Sequence, residues 1–280
     1  MDRKIGFIGC GVMGKAIING IIGAGTVSVD NIIASDVSDR CLNDAKERLG
    51  ICVTRDNREI VLKSDIIFLA VKPAKLSTVI QGIVDCITPD KLFVSIVAGQ
   101  TLEILERYLG KNVKTIRVMP NMPAQITVGM TGVCGNKLVS KEEFAYILEL
   151  LKGLGRVETV PEDLMNAVTG VSGSGPAYTF MFIEALADAG VLEGLPRAQA
   201  YTFAAQTVYG SAKMILDTQS HPGVLKDAIC SPGGTTIAAV AVLEKSNFRG
   251  AVIEAVRACA NRSREMEKQA QVSGGKVDFM

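Results

Sequence analysis

Residues 4–14 read KIGFIGCGVMG, a short apolar run that passes directly into the pattern Gly-x-Gly-x-x-Gly. Between a strand and a helix, this pattern is typical of a Rossmann-like dinucleotide site. Its first glycine allows a tight turn, its second lets the backbone approach a pyrophosphate, and its third lets helix and strand pack closely. The helix N-terminus then presents its positive end to the phosphates. We therefore predict a cofactor loop made of Gly9, Cys10, Gly11, Val12, Met13 and Gly14.

Further along the chain, short apolar runs alternate with helical patterns. Apolar runs occupy residues 31–36, 65–71, 92–98 and 115–119, and helical patterns occupy residues 14–25, 39–49, 76–84, 102–109 and 140–153. The run DIIFLAV at 65–71 is apolar throughout, as expected for a strand buried on both faces of a parallel sheet. The alternation predicts an α/β fold, in which residues 1–160 form an NAD(P)-binding domain with a doubly wound parallel sheet.

The composition changes after residue 160, where strand-like runs give way to long alanine-rich stretches. Helices are predicted near residues 177–189, 197–216, 236–244 and 251–269 from propensity and periodicity. We therefore predict that residues 161–280 form an all-helical domain. Its small residues favour close helix packing, and its remaining apolar surface calls for a partner subunit.

Composition excludes several classes of function. The 280 residues include 30 basic and 29 acidic ones, which gives a net charge of +1. So small a charge does not indicate binding to nucleic acid or to an acidic membrane. The seven cysteines form no CxxC pair, so we expect no metal site and no thioredoxin-like chemistry. Scattered thiols, with no signal segment or membrane span, predict a cytoplasmic protein.

The end of the second predicted strand bears on the choice between NAD and NADP. An acidic residue there ordinarily binds the ribose 2′-hydroxyl and repels a 2′-phosphate, so Asp36 favours NAD. Donors that could bind a phosphate are Ser35, Ser38 and Arg40, with Arg55 and Arg58 on a later loop. These residues alone leave the choice open.

Two segments that follow predicted strands are expected to border the ligand crevice, because it lies at the carboxyl ends of parallel strands. In the first, LAVKP at 69–73, Lys72 either touches the substrate or is a solvated loop lysine. The second, MPNMP at 119–123, is a turn made rigid by two prolines, where Asn121 either contacts the substrate or ties down the turn. Residues 167–178, rich in glycine and serine, are expected to approach the cofactor or substrate rather than form a linker.

The sequence SPGGTT at 231–236 combines adjacent glycines, hydroxyls and a proline. Glycines let a ligand touch the backbone, whose N–H groups can converge on a small anion. We predict that this loop binds a small carboxylate substrate through Ser231, Gly233, Gly234, Thr235 and Thr236. Helix capping by one of the two threonines is compatible with ligand binding by the other.

Four stretches carry a resemblance to a known family: LAVKP at 69–73, MPNMP at 119–123, AVTGVSGSGPAY at 167–178 and HPGVLKDAICSPGGTTIAAVAVLE at 221–244. They resemble pyrroline-5-carboxylate reductase, and the likeness extends from Ile5 to about Lys268. The resemblance implies a Rossmann domain followed by a helical domain that forms a homodimer by intertwining helices, often assembled further into a decamer. It implies reduction of 1-pyrroline-5-carboxylate to L-proline, the last step of proline biosynthesis, with NADPH as cofactor and NADH also accepted.

The resemblance also assigns roles to residues at matching positions. Ser35 is placed by the adenosine ribose or its phosphate, and Asn57 on the adenosine side. Ala70, Val71, Lys72 and Pro73 are placed along the ribose and nicotinamide. Ser231, Gly234 and Thr235 are assigned to the substrate carboxylate, and Thr236 to the ring nitrogen as the catalytic residue. Asp36, which we include in the cofactor set, departs from the family pattern and argues against a strict requirement for NADP.

The implied reaction transfers a hydride to the C=N carbon of a cyclic imine, which needs no strong general acid once the imine is protonated. The only histidine, His221, fits a structural turn better than a catalytic role. A β-hydroxyacid dehydrogenase on the same architecture is disfavoured, because residues 170–180 contain no lysine or arginine. A non-catalytic nucleotide-sensing protein would not need a carboxylate loop in its helical half.

Overall fold

The computed structural model describes residues 3–274, so the ends of the two predicted domains lie outside the described residues. Within them, eight strands form a single sheet. They are β1 (Ile5–Ile8), β2 (Ile32–Ser35), β3 (Cys52–Thr54), β4 (Ile66–Leu69), β5 (Leu92–Ser95), β6 (Lys114–Met119), β7 (Gly129–Gly135) and β8 (Gly155–Thr159). Their spatial order is β3-β2-β1-β4-β5-β6-β7-β8, and each neighbouring pair is parallel except β6 and β7.

The order of the strands reverses at β1, which lies between β2 and β4. In doubly wound sheets, this switch point is where ligands bind, outside the carboxyl ends of the strands. The Gly-x-Gly-x-x-Gly loop follows β1 directly and therefore lies at the switch point. The prediction of a Rossmann-like sheet is confirmed.

Helices of the first part of the chain cover both faces of this sheet. They are α1 (Val12–Gly23), α2 (Asp39–Leu49), α3 (Asn57–Lys63), α4 (Leu76–Gln81), α5 (Leu102–Leu109), α6 (Lys141–Lys152) and α7 (Met165–Val168). Alternate strand residues serve two cores, because successive side chains point to opposite faces. Phe7 stacks on Phe68 on one face, with ring centroids 4.6 Å apart, while Ile8 and Phe93 join the core on the other.

The rest of the described chain is helical, as predicted. A π-helical turn (Thr169–Gly173) leads into α8 (Gly175–Leu192), α9 (Arg197–Thr218), α10 (Pro222–Ala228), α11 (Thr235–Lys245) and α12 (Phe248–Gly274). None of the helices in the described residues is long and apolar enough to cross a lipid bilayer.

Close contacts divide the described chain into two compact units. The first runs to Ser174 and includes the chain again from Cys259, and the second is Gly175–Ala258. This division differs from the predicted boundary at residue 160, which stays a prediction. Residues after 160 pack in the first unit: Met165 is fully buried there, and a Cβ atom at Gly132 would lie 2.8 Å from Cγ1 of Val168.

Candidate active site

The cofactor loop owes its shape to three glycines with different surroundings. Gly9 has a φ of +98°, and a Cβ atom there would lie 2.5 Å from the carbonyl oxygen of Ala70. At Gly14, a Cβ atom would lie 2.6 Å from the carbonyl oxygen of Gly9. Side chains are thus excluded where strand, loop and helix pack. At Gly11 a Cβ atom would meet nothing within 4 Å, so the missing side chain leaves open space above the loop. This is the space that a pyrophosphate needs.

The carboxylate of Asp36 is bonded to the protein backbone. Its Oδ2 accepts a hydrogen bond from the N–H of Cys10 at 3.0 Å, and its Oδ1 accepts one from the N–H of Ser38 at 2.9 Å. Asp36 therefore ties the end of β2 to the cofactor loop after β1. Burial, and then the nearby charge of Asp36, raise the pKa of the Cys10 thiol to about 12. Cys10 accordingly contributes its backbone to the loop, while its thiol stays protonated.

Ser35 and Asn57 form a pair at the same edge of the sheet. Ser35 is fully buried, and its Oγ donates to Oδ1 of Asn57 at 2.6 Å. With no exposed surface, Ser35 can act on a ligand here only by holding Asn57. Asn57 opens α3 and is half-buried, and within the described residues its Nδ2 has no hydrogen-bond partner. The amide nitrogen of Asn57 is thus the donor that this pair offers to a ligand.

The three arginines near the predicted adenosine site differ in their partners. Arg55 is paired with Asp39, and Arg58 forms a two-point ion pair with Asp85. The exposed side chain of Arg40 has no ion-pair partner within the described residues. A cavity of 1030 Å³ is lined by Gly11, Val12, Ser38 and Arg40 among others. Arg40 is therefore the arginine available to an anion beside the cofactor loop.

The segment that follows β4 continues along this edge of the sheet. The N–H of Ala70 donates to the carbonyl oxygen of Ile8 at 2.9 Å, which holds the segment against β1. Ala70 and Val71 are half-buried, whereas Lys72 and Pro73 are exposed. Lys72 makes no ion pair with any described residue. Its ammonium group is therefore available to a ligand at this edge of the sheet.

Asn121 uses both ends of its side-chain amide within the protein. Nδ2 donates to the carbonyl oxygen of Ser172 at 3.1 Å, and Oδ1 accepts from the N–H of Met130 at 2.9 Å. The side chain is almost fully buried. These bonds favour the second of the two roles predicted for Asn121, which is to tie down the MPNMP turn.

The SPGGTT loop lies in the second unit, whereas the residues of the predicted cofactor site lie in the first. Gly233 has a φ of +67°, and a Cβ atom at Gly234 would collide with the hydroxyl of Ser231. Gly234 is the N-cap of α11, so neither threonine caps this helix with its side chain. Within the described residues, the hydroxyls of Ser231, Thr235 and Thr236 have no hydrogen-bond partner. The loop therefore presents three free hydroxyls at a helix N-terminus.

His221 also has a structural partner. It is the N-cap of α10, and its Nδ1 accepts the N–H of Gly223 at 3.1 Å. This contact supports the interpretation of His221 as a turn residue. Among the described residues, no group of three or more histidine, cysteine or acidic side chains could hold a metal ion.

Sequence reasoning missed the bond between Asp36 and Cys10. The partner is a backbone N–H 26 residues away, so no residue type at either position signals the contact. Sequence reasoning treated Asp36 only as a ligand for ribose. Its contact with the loop backbone became visible with the tertiary structure.

Two family models match the chain. A model described as NADP oxidoreductase, coenzyme F420-dependent, matches residues 4–99, and one described as pyrroline-5-carboxylate reductase dimerisation matches residues 162–266. Among curated proteins, the chain is 50% identical over 268 residues to the pyrroline-5-carboxylate reductase of Escherichia coli K12, which covers 96% of this chain and 100% of that relative. It is 47% identical to the Methanosarcina acetivorans protein of the same name, over 96% of this chain and 99% of that one.

Comparison with solved structures also matches the chain to pyrroline-5-carboxylate reductases. The chain is similar to Plasmodium falciparum pyrroline carboxylate reductase with NADP bound, with a TM-score of 0.87 and 34% identity, over 95% of this chain and 98% of that one. It is also similar to pyrroline-5-carboxylate reductase from Coxiella burnetii, with a TM-score of 0.88 and 36% identity, over 95% of this chain and 99% of that one. These matches span both units.

Proposed function

Because the chain belongs to the pyrroline-5-carboxylate reductase family, we infer that it reduces 1-pyrroline-5-carboxylate to L-proline with NADPH, the last step of proline biosynthesis. The observation that carries this inference is the near full-length match to reductases of this name. The open cofactor loop and the free hydroxyls of the SPGGTT loop fit such a reaction.

We propose that the cofactor lies along the edge of the sheet formed by Gly9–Gly14, Asn57 and residues 70–73. The open space at Gly11 fits a pyrophosphate, and the N-terminus of α1 stabilises its charge. Arg40 and the Nδ2 of Asn57 are placed to hold the adenosine half, with Ser35 orienting Asn57. When bound, NADPH supplies the hydride. NADH is accepted as well, because the contacts of the cofactor loop do not depend on the 2′-phosphate.

The substrate carboxylate is proposed to bind at the N-terminus of α11. The first N–H groups of a helix lack intrahelical partners and attract anions. The N–H of Gly234 already donates to the carbonyl oxygen of Ser231 at 3.0 Å. Of the groups predicted for the carboxylate, the N–H groups of Gly233 and Thr235 and the hydroxyls of Ser231 and Thr235 are free to bind it. Gly234 contributes the absence of a side chain beside them.

Thr236 is proposed to hydrogen-bond the ring nitrogen of the imine. A protonated imine is the better electrophile, so the residue needs only to orient the nitrogen and hold its proton at Oγ1. Within the described residues, the hydroxyl of Thr236 has no competing partner, which supports this role. The half-buried position of Thr236 also limits access of water to that bond.

We further propose a cytoplasmic homodimer that assembles into a larger ring such as a decamer. All seven cysteines are free thiols, which fits a reducing compartment. Residues 162–266 match a dimerisation model, so the chain is a homo-oligomer.

The experiment that tests the function follows absorbance of the reduced cofactor when purified protein is mixed with pyrroline-5-carboxylate. We expect oxidation of NADPH, and slower oxidation of NADH, with L-proline as the product. An assay with a 2-hydroxy acid and oxidised cofactor is the control for a hydroxyacid dehydrogenase. Loss of neither reduced cofactor would contradict the proposed function.

A further inference from the structure

A buried cluster of polar side chains joins the last helix to the sheet within the first unit. At its centre is Arg117 on β6, whose side chain is 7% exposed. Its Nη2 donates to Oε1 of Glu267 on α12 at 2.7 Å, and its Nη1 to Oε1 of Glu162 at 3.2 Å. None of these residues has a role in the reaction as proposed above. An arginine buried in this way needs its partners, because an uncompensated charge in the interior is costly.

Glu267 uses its second oxygen to hold another element. Oε2 accepts a hydrogen bond from Nδ2 of Asn166 on α7 at 2.8 Å. Asn166 is 6% exposed, and the side chain of Glu267 is 13% exposed. One carboxylate therefore connects β6 with α7. Such charge-assisted bonds are shorter and stronger than neutral ones.

The two elements that Glu267 connects lead into two segments that touch each other. β6 continues into the MPNMP turn, and α7 continues into the π-helical turn Thr169–Gly173. Asn121 of the first segment donates to the carbonyl oxygen of Ser172 in the second at 3.1 Å. A Cβ atom at Gly173 would lie 2.7 Å from Cε of Met119, so the two segments pack closely at this point. π-helical turns of this kind occur frequently at functional sites.

This cluster lies at the edge of the sheet where the cofactor is proposed to bind. The MPNMP turn follows the carboxyl end of β6, and carboxyl ends face the ligand crevice in parallel sheets. The last helix also approaches the loop after β5, where a Cβ atom at Gly99 would lie 3.1 Å from Cβ of Met266. The end of α12 thus packs beside the loops that follow β5 and β6.

We propose that Glu267 is a positioning residue for the nicotinamide half of the site. By holding Arg117 and Asn166 together, it fixes the MPNMP turn against the π-helical turn and so fixes the wall against which the nicotinamide lies. The inference rests on the proposed function for the binding of a nicotinamide cofactor, and it places the nicotinamide beside the MPNMP turn because that turn follows the carboxyl end of β6. The adenosine half depends on other residues, so Glu267 acts on one half of the cofactor site and not on the other.

The test compares binding of NADPH with binding of 2′,5′-ADP, which carries the adenosine half and its 2′-phosphate but no nicotinamide. Glu267→Leu removes both acceptors, so Nη2 of Arg117 and Nδ2 of Asn166 lose the partner that each has in the native protein. Glu267→Gln is the conservative variant: its amide oxygen can accept from Arg117, and, once the Asn166 amide turns over, its amide nitrogen can donate to Oδ1 of Asn166, which has no other partner among the described residues. The matched control is Glu265→Leu, which removes an exposed ion pair with Arg262 on the same helix.

We expect Glu267→Leu to weaken NADPH binding about tenfold and to lower kcat by a similar factor, since small misplacements of a reacting group can cost as much as about 10²-fold. Binding of 2′,5′-ADP should stay within about twofold of the native value, because the adenosine contacts are separate. Glu267→Gln should keep most of both NADPH binding and kcat, and Glu265→Leu should show no loss.

Three results would overturn the proposal: equal weakening of both probes in Glu267→Leu, weakening of neither, or a loss in Glu267→Gln as large as that in Glu267→Leu. If Glu267→Leu does not fold, Asn166→Ala removes one of the two bonds of Glu267, and it should weaken NADPH binding without weakening 2′,5′-ADP binding. Failure of the proposed function is distinguished by the native protein, because probe binding does not require turnover of the imine. If the native protein binds both probes but does not reduce the imine, the proposed function is refuted and the positioning role of Glu267 is not.

Discussion

At the scale of single residues, Asp36 is the position whose role the tertiary contacts change most. Both of its oxygens accept backbone N–H groups, from Cys10 and Ser38, so the carboxylate holds the cofactor loop to β2. The two N–H dipoles offset part of its charge. An acidic residue at the end of β2 is therefore compatible with a 2′-phosphate, provided that a cation such as Arg40 lies on the other side of that phosphate.

The role of Arg40 can be tested with both cofactors. We expect Arg40→Ala to weaken NADPH binding about tenfold or more, since a hydrogen bond to a charged group contributes about 1.5–3 kcal/mol. NADH binding should change by less than about twofold, because NADH lacks the 2′-phosphate. Fluorescence titration of each reduced cofactor gives the two dissociation constants. Arg48→Ala is the control, because Arg48 lines the same cavity but pairs with Asp44. Equal losses for NADH and NADPH would rule out this role.

The hydroxyl of Thr236 provides the second test at this scale. We expect Thr236→Ala to lower kcat/KM by roughly ten- to a thousandfold, since a hydrogen bond to a reacting centre contributes about 1.5–4 kcal/mol. Cofactor affinity should barely change, because Thr236 is not among the residues proposed to hold the cofactor. Thr202→Ala is the control, because its hydroxyl bonds only to its own helix, at the carbonyl oxygen of Ala198. An unaltered kcat/KM would show that the hydroxyl is not at the imine.

At the scale of elements, local signals set the ends of several helices. α2 and α5 coincide with the helices predicted at residues 39–49 and 102–109. The α6 helix begins with a complete capping box: Oγ of Ser140 accepts the N–H of Glu143, and the Glu143 carboxylate accepts the N–H of Ser140. These bonds satisfy two N–H groups that would otherwise lack partners at the helix start.

The capping box gives a stability prediction. We expect Ser140→Ala to lower the free energy of unfolding by about 1 kcal/mol, the usual value for loss of an N-cap side chain. Urea denaturation at fixed protein concentration measures the difference. Glu149→Gln on the exposed face of α6 is the control and should change stability by less than about 0.5 kcal/mol. A loss as small as that of the control would mean that the cap does not stabilise the native state.

The pH dependence of this cap follows from Glu143. Burial pushes the pKa of its carboxyl upward, but the hydrogen bonds from Lys114 and from the N–H of Ser140 outweigh burial and lower the pKa overall. A lowered folded-state pKa stabilises the protein fully above the unfolded value of about 4.3, and the contribution is lost as the pH falls through the folded value. The stability difference between the native protein and Glu143→Gln should therefore shrink below about pH 4.

At the scale of the whole molecule, the second unit buries little of its own apolar surface. Within the described residues, α8 buries only Ala187, and α9 only Ala200 and Ala204. Apolar and aromatic side chains that are more than half exposed in this unit include Phe180, Met181, Phe203, Tyr209, Met214 and Val242. So much exposed apolar surface is unusual for a monomer and marks an interface.

We therefore expect the protein in solution to have at least twice the mass of one chain, as measured by light scattering. Phe203→Asp should shift the population towards the single-chain mass, because it places a carboxylate on this exposed apolar surface. Lys152→Ala, on the surface of the first unit, is the control and should leave the mass unchanged. A native protein that stays at the single-chain mass at micromolar concentration would contradict the expectation.

Sequence reasoning predicted the elements whose patterns are local. The glycine loop came from its motif, β1, β2, β4, β5 and β6 came from apolar runs, and the four longest helices of the second half came from propensity and periodicity. The short strands β3 and β8 and the short helix α10 were not predicted. The helix predicted at residues 76–84 ends earlier, at Gln81, and is followed by a separate 3₁₀ turn, Val84–Cys86. β7 was missed because its sequence, GMTGVCG, contains three glycines, which disfavour strands. One of them, Gly132, is explained by the close approach of Val168, which lies far away in the sequence.

By itself, the sequence determined the fold class, the family and the chemical types gathered at the candidate site, because glycine patterns and apolar periodicity act over a few residues. Only the tertiary structure decided which polar groups are already engaged: Asp36 with backbone N–H groups, Asn121 with two distant segments, and Glu267 with Arg117 and Asn166. These bonds join residues far apart in the chain, often through backbone atoms that every residue type has. For that reason, no local pattern could reveal them.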